Sequence, residues 1–389
     1  MTQRNNHAQP PATLLPLAAL MLLGSLGTVQ QAQAQEGGEK TLKTVTVKDK
    51  MESPTASKEG VLVKKSGIAK GDQALKDIPQ TVTVMTEKLM SDRNLDDLRE
   101  VLKTTSGVTF LAGETGEEDV RMRGFSLQQA GDIYVDGLRD APLIERDTFN
   151  LDRVEVLKGS ASMLFGKGST GGVVNQVNKQ AFLMDQNEVN VTVGNGNSRR
   201  ITGDFNKQTG EDSALRINAM AHKADNWGVA AAYRWGIGER DEFQASLYHL
   251  ETDGRPLYSH PWMVDNGATL NGGSGANSKG TLVPVLDAKN FYGMASDHLR
   301  TETTHGTLAH QHRFDQDSEL KTTVRVGRYS RDLLGTQVGF KALTPLADLN
   351  DNTLLRRSPK ARYGDSDVLQ AQSDYTSKFQ ALGFQHNLI

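Results

Sequence analysis

From residue 187 onward the chain alternates apolar and polar residues, and a period of two confines it to β-strands with unlike faces. Val189, Val191 and Val193 alternate with Asn190 and Thr192. Leu215, Ile217, Ala219 and Ala221 alternate with Arg216, Asn218, Met220 and His222, and Phe243, Ala245 and Leu247 with Gln244, Ser246 and Tyr248. Leu320, Thr322, Val324 and Val326 do the same with Lys321, Thr323 and Arg325. Runs of about 8–11 residues are long enough to cross a bilayer as tilted strands. Turn-rich pieces such as Gly194-Asn195-Gly196-Asn197 and Thr209-Gly210-Glu211-Asp212 separate them. Residues 255–296 are too many for a hairpin turn and read as a large surface loop. Two folds accommodate this texture: a membrane β-barrel, or a soluble β-sandwich with one wet face.

The first residues favour the barrel. Arg4 and His7 precede an apolar run over residues 12–29, and Ala32-Gln33-Ala34 follows as a small-x-small cleavage site. That is the layout of a secretory signal peptide, expected over residues 1–34 and removed on export. Pro16, Gly24, Ser25 and Gly27 interrupt the run, which argues against a membrane anchor. A net charge of −3 and a mean hydropathy of −0.49 resemble those of a soluble protein, but barrel strands never form long apolar runs, so neither value excludes a barrel. Near-zero charge without a dense Lys/Arg cluster argues against a nucleic-acid partner. The chain has no Cys, so it makes no disulfides and uses no thiolate chemistry.

Residues 35–60 are polar, mixed in charge and aperiodic, and read as a flexible leader. Within them Thr44-Val45-Thr46-Val47 is a short β-prone segment, either chance or an extended peptide suited to adding to a partner's sheet edge. Residues 61–180 read as a compact α/β module. Residues 81–84 alternate as a strand. Asn94 is placed to cap a helix that buries Leu95, Leu98 and Leu102 and stops at Gly107. Ile133-Tyr134-Val135 runs into the turn signal Asp136-Gly137, and Val154, Val156 and Leu157 form a further strand.

Gly166-Lys167-Gly168-Ser169-Thr170-Gly171 matches G-x-G-x-x-G, but the β-prone Val173-Val174-Asn175-Gln176-Val177 follows where a nucleotide fold needs a helix. As a P-loop it fails too, with Ala161 in place of the first Gly and Gly168 after the Lys. These glycines are better explained by tight bends and close chain approach. His310 and His312 share a strand face at metal-ligand spacing but lack a nearby carboxylate or Cys set, and paired surface histidines are the commoner explanation. No Ser/His/Asp arrangement or carboxylate pair stands out, so no enzyme activity is expected.

Four segments together resemble the plug domain of TonB-dependent siderophore receptors. They are Asp77-Ile78-Pro79-Gln80-Thr81-Val82-Thr83-Val84, Arg121-Met122-Arg123-Gly124-Phe125, Ile133-Tyr134-Val135-Asp136-Gly137 and Asp152-Arg153-Val154-Glu155-Val156-Leu157-Lys158-Gly159. The last continues through Ser162-Met163-Leu164-Phe165-Gly166 to Gly171-Gly172-Val173-Val174-Asn175, wording most similar to catecholate-type receptors. The resemblance implies an α/β plug followed by an antiparallel transmembrane β-barrel of about 22 strands. Thr44, Val45, Thr46 and Val47 then become the TonB box. The leader is too short for the extra signalling domain of some relatives. Arg123 and Lys158 take the place of a plug–barrel latch. Here Lys158-Gly159-Ser160 replaces the family's Arg-Gly-Pro, which keeps the charge but loses the bidentate fork and weakens the latch. The latch carboxylates are expected past Ile389.

With strand and connection taking roughly 20–25 residues, residues 187–389 hold about eight to ten strands, an incomplete barrel. Asn387-Leu388-Ile389 also lacks an aromatic terminus, so the chain is expected to be a fragment or truncated product. By resemblance the function is import of a ferric siderophore, a catecholate, across the bacterial outer membrane. The partners are TonB with ExbB and ExbD, the siderophore and membrane lipid; the iron complex is cargo, and no resident cofactor or metal is implied. Arg139 and Arg146 on the plug, with Tyr258, His260 and Trp262 on the long loop, are the ligand-binding candidates. The alternatives are a related receptor for cobalamin or a glycan, a non-transporting surface protein, and a soluble periplasmic enzyme.

Overall fold

The computed structural model describes residues 53, 55–64, 66–70, 74–112, 118–127, 131–166, 168–223, 225–256, 262–264, 282–284, 286–287, 289–341 and 348–389. The signal peptide expected over residues 1–34, the expected TonB box residues Thr44, Val45, Thr46 and Val47, and the ligand candidates Tyr258 and His260 lie outside them.

The end of the leader packs on the plug. A four-residue helix, α1 (Ala56–Glu59), is docked on it, with Thr55 and Ser57 buried. Ser57 Oγ donates to the Asp152 carbonyl (2.5 Å) and accepts from the Glu87 amide (3.1 Å), which ties the end of the leader down. Strand β1 (Thr81–Thr86) follows, then α2 (Glu87–Asp92), capped by Thr86, whose hydroxyl accepts from the Leu89 amide. Helix α3 (Leu98–Lys103) starts later than its sequence suggests. Asp97, not Asn94, is the cap: Asp97 Oδ1 accepts from the Glu100 amide (2.8 Å) and Glu100 Oε2 accepts from the Asp96 amide (2.8 Å). This reciprocal pair satisfies two orphan donors, while Asn94 takes positive φ (50°) in the turn before it. Leu98, Val101 and Leu102 are buried as the periodicity requires.

Strands β2 (Val108–Ala112), β3 (Glu118–Met122) and β4 (Phe125–Ser126) make a small meander. Strands β5 (Ile133–Val135), β6 (Leu138–Arg139), β7 (Leu151–Lys158) and β8 (Gly172–Asn178) join β1 in a sheet of order β1-β7-β8-β5-β6. Asp136 (φ 52°) and Gly137 (φ 79°) make the tight β5–β6 turn read from the sequence. Met85, Leu98, Val101, Leu102, Met122, Leu127, Val154 and Val156 form the main core. The helix α4 (Ser162–Phe165) precedes the glycine run and β8 follows it, so a strand and not a helix comes after the run. Gly171 and Gly172 are there for space. A Cβ on Gly171 would stand 2.4 Å from the Met122 carbonyl oxygen.

Beyond residue 185 nine strands form one antiparallel sheet among the described residues. They are β9 (Gln186–Val193), β10 (Arg199–Gln208), β11 (Ala214–His222), β12 (Asn226–Trp235), β13 (Asp241–Gly254), β16 (His298–Arg313), β17 (Ser318–Phe340), β18 (Leu355–Ala381) and β19 (Phe384–Leu388), paired in that order. The short hairpin β14 (Trp262–Val264) with β15 (Leu282–Pro284) interrupts the long connection after β13. Register sorts the side chains into two sets. Asp204 on β10 pairs with Asn218, Asn218 with Ala230, Ala230 with Tyr248, and all of these face the plug. The other face carries Val193 (76 % exposed), Trp227, Trp235, Leu247 (68 %), Leu308, Val326 and Leu369 (76 %). Apolar residues turned to the surroundings on one side and a plugged polar side on the other are the inverse of a soluble sandwich and the pattern of a membrane barrel wall. The turns at 209–213, 236–240 and 314–317 lie at one end of the sheet, and the strand ends Gly254, His298, Phe340 and Leu355 at the other.

Candidate functional site

The inward face of the sheet and the plug meet first through apolar packing. Phe149 sits against Met220, Ala230 and Leu250 and stacks on Tyr248 with centroids 5.7 Å apart. Gly228 makes the approach possible, since a Cβ there would fall 2.8 Å from the Phe149 ring. Ala141 and Ile144 pack on Tyr329 farther along.

Around this contact lies a set of ion pairs that join leader, plug and sheet. Asp204 of β10 is its centre. Arg216 of β11 grips it with Nε (2.8 Å) and Nη2 (2.7 Å), and Lys58 of α1 (3.2 Å) and Lys179 after β8 (3.3 Å) reach the same carboxylate. Lys58 also meets Glu188 of β9 at 2.5 Å, and Lys179 meets Glu87 of α2 at 2.9 Å. Lys58, Lys179 and Arg216 thus balance Glu87, Glu188 and Asp204. Burial alone would lower the Lys58 ammonium, but the hydrogen bond to Glu188 and the charges of Asp204 and Glu87 outweigh it and raise its pKa.

A second clamp holds the far side. Arg200 of β10 donates to both oxygens of Asp147 (2.8 and 2.6 Å), a bidentate geometry, while its Nε lies 3.1 Å from Asp96. Burial raises the Asp96 carboxyl above its ordinary range, with Arg200 pulling against it. Along the sheet, Arg325 of β17 is fully buried, donates through Nε to Thr307 (3.0 Å) and lies 3.6 Å from Asp136. Lys70 reaches Asp374 of β18 (3.3 Å), and Gln370 donates to the Arg139 carbonyl (2.8 Å). Below α1 a cavity of about 470 Å³ opens between plug and sheet, lined by Ser57, Asp152, Arg153, Arg216 and Arg234. Burial raises the Asp152 carboxyl there, against the charge of Arg153.

The expected latch residues come together elsewhere. Arg123 occupies the β3–β4 turn with positive φ (52°), exposed, its guanidinium beside Gly159. Lys158 Nζ donates to Ser106 (3.0 Å). Among the described residues neither makes an ion pair with a carboxylate; the pairs around Asp204 and Arg200 join the plug to the sheet. Among the ligand candidates, Arg139 is half-buried, donating to Tyr134 Oη (3.2 Å) with its guanidinium over that ring. Arg146 is not presented at the plug apex. It is 9 % exposed, and its nitrogens are engaged by Asp140 (2.8 Å) and by the carbonyls of Ile144 and Ala141 (3.1 and 2.6 Å), so it braces the loop from within. Trp262 lies on β14, with only its backbone placement described. The pairs that do the holding link residues as far as 146 positions apart, Lys58 to Asp204, and carried no local sequence signal.

Comparison with known proteins agrees with this geometry. Residues 74–173 match the TonB-dependent Receptor Plug Domain family. The catecholate siderophore receptor Fiu of Escherichia coli (strain K12) is 28% identical over 384 residues, covering 92% of this chain and 48% of Fiu. The probable TonB-dependent siderophore receptor PiuA of Acinetobacter baumannii is 27% identical, covering 82% of this chain and 42% of that protein. Among solved structures, PiuA superposes with a TM-score of 0.74 at 26% identity over 85% of this chain and 47% of PiuA. The closed form of Fiu superposes with a TM-score of 0.71 at 26% identity over 82% of this chain and 47% of Fiu. The chain therefore spans about half the length of the curated relatives it matches. A plug domain matched over residues 74–173, seated on the inner face of a sheet that has nine strands and an apolar outer face among the described residues, makes the chain similar in sequence and fold to TonB-dependent receptors.

Proposed function

We propose that the chain is the plug and part of the barrel wall of a bacterial outer-membrane receptor that imports a ferric siderophore, a catecholate, by energy supplied through TonB. The observation that carries this reading is the shared charge cluster in which Lys58 of the leader, Glu87 and Lys179 of the plug and Asp204 of the wall meet. A pull on the leader reaches α1 first. Drawing α1 away removes Lys58 from Glu188 and Asp204 and frees Ser57 from Asp152, so force applied to the leader acts directly on the plug–wall contact. Thr44, Val45, Thr46 and Val47, eleven residues before Lys58 at the nearest, supply the strand on which TonB would pull. ExbB and ExbD would deliver the proton-gradient energy to TonB. A ferric tris-catecholate is a bulky anion, and Arg139 with Tyr258, His260 and Trp262 offer cationic and aromatic contacts for it. The iron complex is cargo, and the proposal needs no resident cofactor and no catalytic residue.

The receptor gene expressed in an iron-starved host lacking its own catecholate receptors tests this. Uptake of radiolabelled iron is expected with a ferric catecholate and not with cobalamin, and Val45→Pro is expected to abolish it, because Pro removes a backbone donor from the added strand. Uptake of no siderophore would overturn the cargo. Uptake unchanged by Val45→Pro would overturn the coupling.

A further inference from the structure

We propose that Asp241, His310 and His312 form a binding site for a divalent transition-metal ion, of the zinc type, on the outer face of the sheet at its short-turn end. Asp241 opens β13, while His310 and His312 come near the end of β16. The register pairs Asp241 with His312 and Phe243 with His310, so the two imidazoles and the carboxylate project from one face of two hydrogen-bonded strands. That face is the outer one, since Glu242 between them turns inward to Arg234 and Arg313. Asp241 Oδ1 lies 2.8 Å from His310 Nε2 and 2.6 Å from His312 Nδ1, and one ligand atom of each residue lies within 4.8 Å of the others.

The donor set decides the class of ion. Two imidazole nitrogens and one carboxylate oxygen suit zinc and its neighbours rather than calcium or magnesium, which take oxygen ligands. Three protein ligands leave a coordination position for water. Each imidazole is also oriented from outside the set. His310 stacks on Phe243 (centroids 4.4 Å apart, planes 7° from parallel), and His312 meets the edge of Phe314 (4.7 Å). Trp235 continues the ring stack beyond Phe243, so the site is embedded in the aromatic belt expected where a barrel wall leaves the bilayer. Paired strands bring the three side chains together before an ion arrives, and the two hydrogen bonds to Asp241 Oδ1 give way to metal bonds when it binds. The residues remain reachable from solution, with side chains 45, 42 and 25 % exposed for Asp241, His310 and His312.

The test uses the full chain in detergent micelles, prepared without a polyhistidine tag and stripped with EDTA, with Zn²⁺ alone and Co²⁺ alone as probes. Equilibrium dialysis is expected to show one Zn²⁺ per chain at micromolar concentration, and Co²⁺ a visible-band spectrum of nitrogen and oxygen ligation. His310→Ala and His312→Ala are each expected to weaken Zn²⁺ binding by at least about tenfold, and Asp241→Asn by a similar factor, whereas His222→Ala, remote from the cluster, leaves it unchanged. Wild-type protein that retains no Zn²⁺ would overturn the proposal without recourse to any variant. Equal retention by wild type and the His310→Ala/His312→Ala double variant would overturn it as well, leaving a hydrogen-bonded surface cluster only.

Discussion

Asp204→Ala is expected to loosen the plug from the sheet more than any other single charge removal. Asp204 is the common partner of Arg216, Lys179 and Lys58, whose side chains are 5, 8 and 16 % exposed. Removing it leaves three cations gathered in a poorly solvated space with only Glu87 and Glu188 beside them. Breaking a buried ion pair from one side costs roughly 3–5 kcal/mol, because the remaining charge is uncompensated. The expected result is faster proteolysis near α1 and faster hydrogen exchange in β7 and β8, with the sheet strands unaffected. Asp204→Ala combined with Arg216→Met should recover part of the loss, since the stranded guanidinium is gone. Equal exchange in wild type and Asp204→Ala would show that the apolar contact of Phe149 with Ala230 and Leu250 holds the plug unaided.

Gly172→Ala is expected to disrupt the plug itself. A Cβ there would lie 2.2 Å from Met122 Sδ and 2.4 Å from the Leu157 carbonyl oxygen, at φ +149°. Met122 can swing aside, but the Leu157 carbonyl belongs to β7 and is fixed by the sheet. Overpacking a core costs about 1–3 kcal/mol and a strained backbone about the same again. The plug is therefore expected to lose cooperative unfolding in urea, read by hydrogen exchange of β7 and β8. Gly67→Ala is the matched control, with nothing within 4 Å of the new Cβ, and should be close to neutral. Met122→Ala in the Gly172→Ala background should relieve only the sulfur clash. Full recovery in that double variant would mean that the Leu157 contact is not the limiting one.

The local pattern carried much of the architecture. The turn at Asp136-Gly137 fixed a hairpin, and the strand over residues 81–84 appears as the longer β1. The alternation around Val191, Ile217, Leu247 and Val324 gave both the strands and their two faces, because side-chain direction repeats every two residues whatever the chain pairs with. The helix start moved from Asn94 to Asp97 because several residues in that stretch can cap, and only the Glu100 return bond chooses among them. Arg146 shows the limit for site residues. An Arg in a loop reads as a ligand contact, and its burial against Asp140 depends on how the loop folds back.

His310 and His312 mark the same boundary from the other side. Their spacing on one strand face was visible, but Asp241 stands far before them and reaches them only through the pairing of β13 with β16. Sequence by itself determined the strands with clear alternation, the opposite faces of their side chains and the turn at Asp136-Gly137, since these follow from steric and periodic rules acting over a few residues. Tertiary structure alone decided that Lys58, Glu87, Lys179, Glu188, Asp204 and Arg216 meet at one point. Ion pairing requires atoms within a few ångströms, and only the register of strands distant in the chain brings those atoms together.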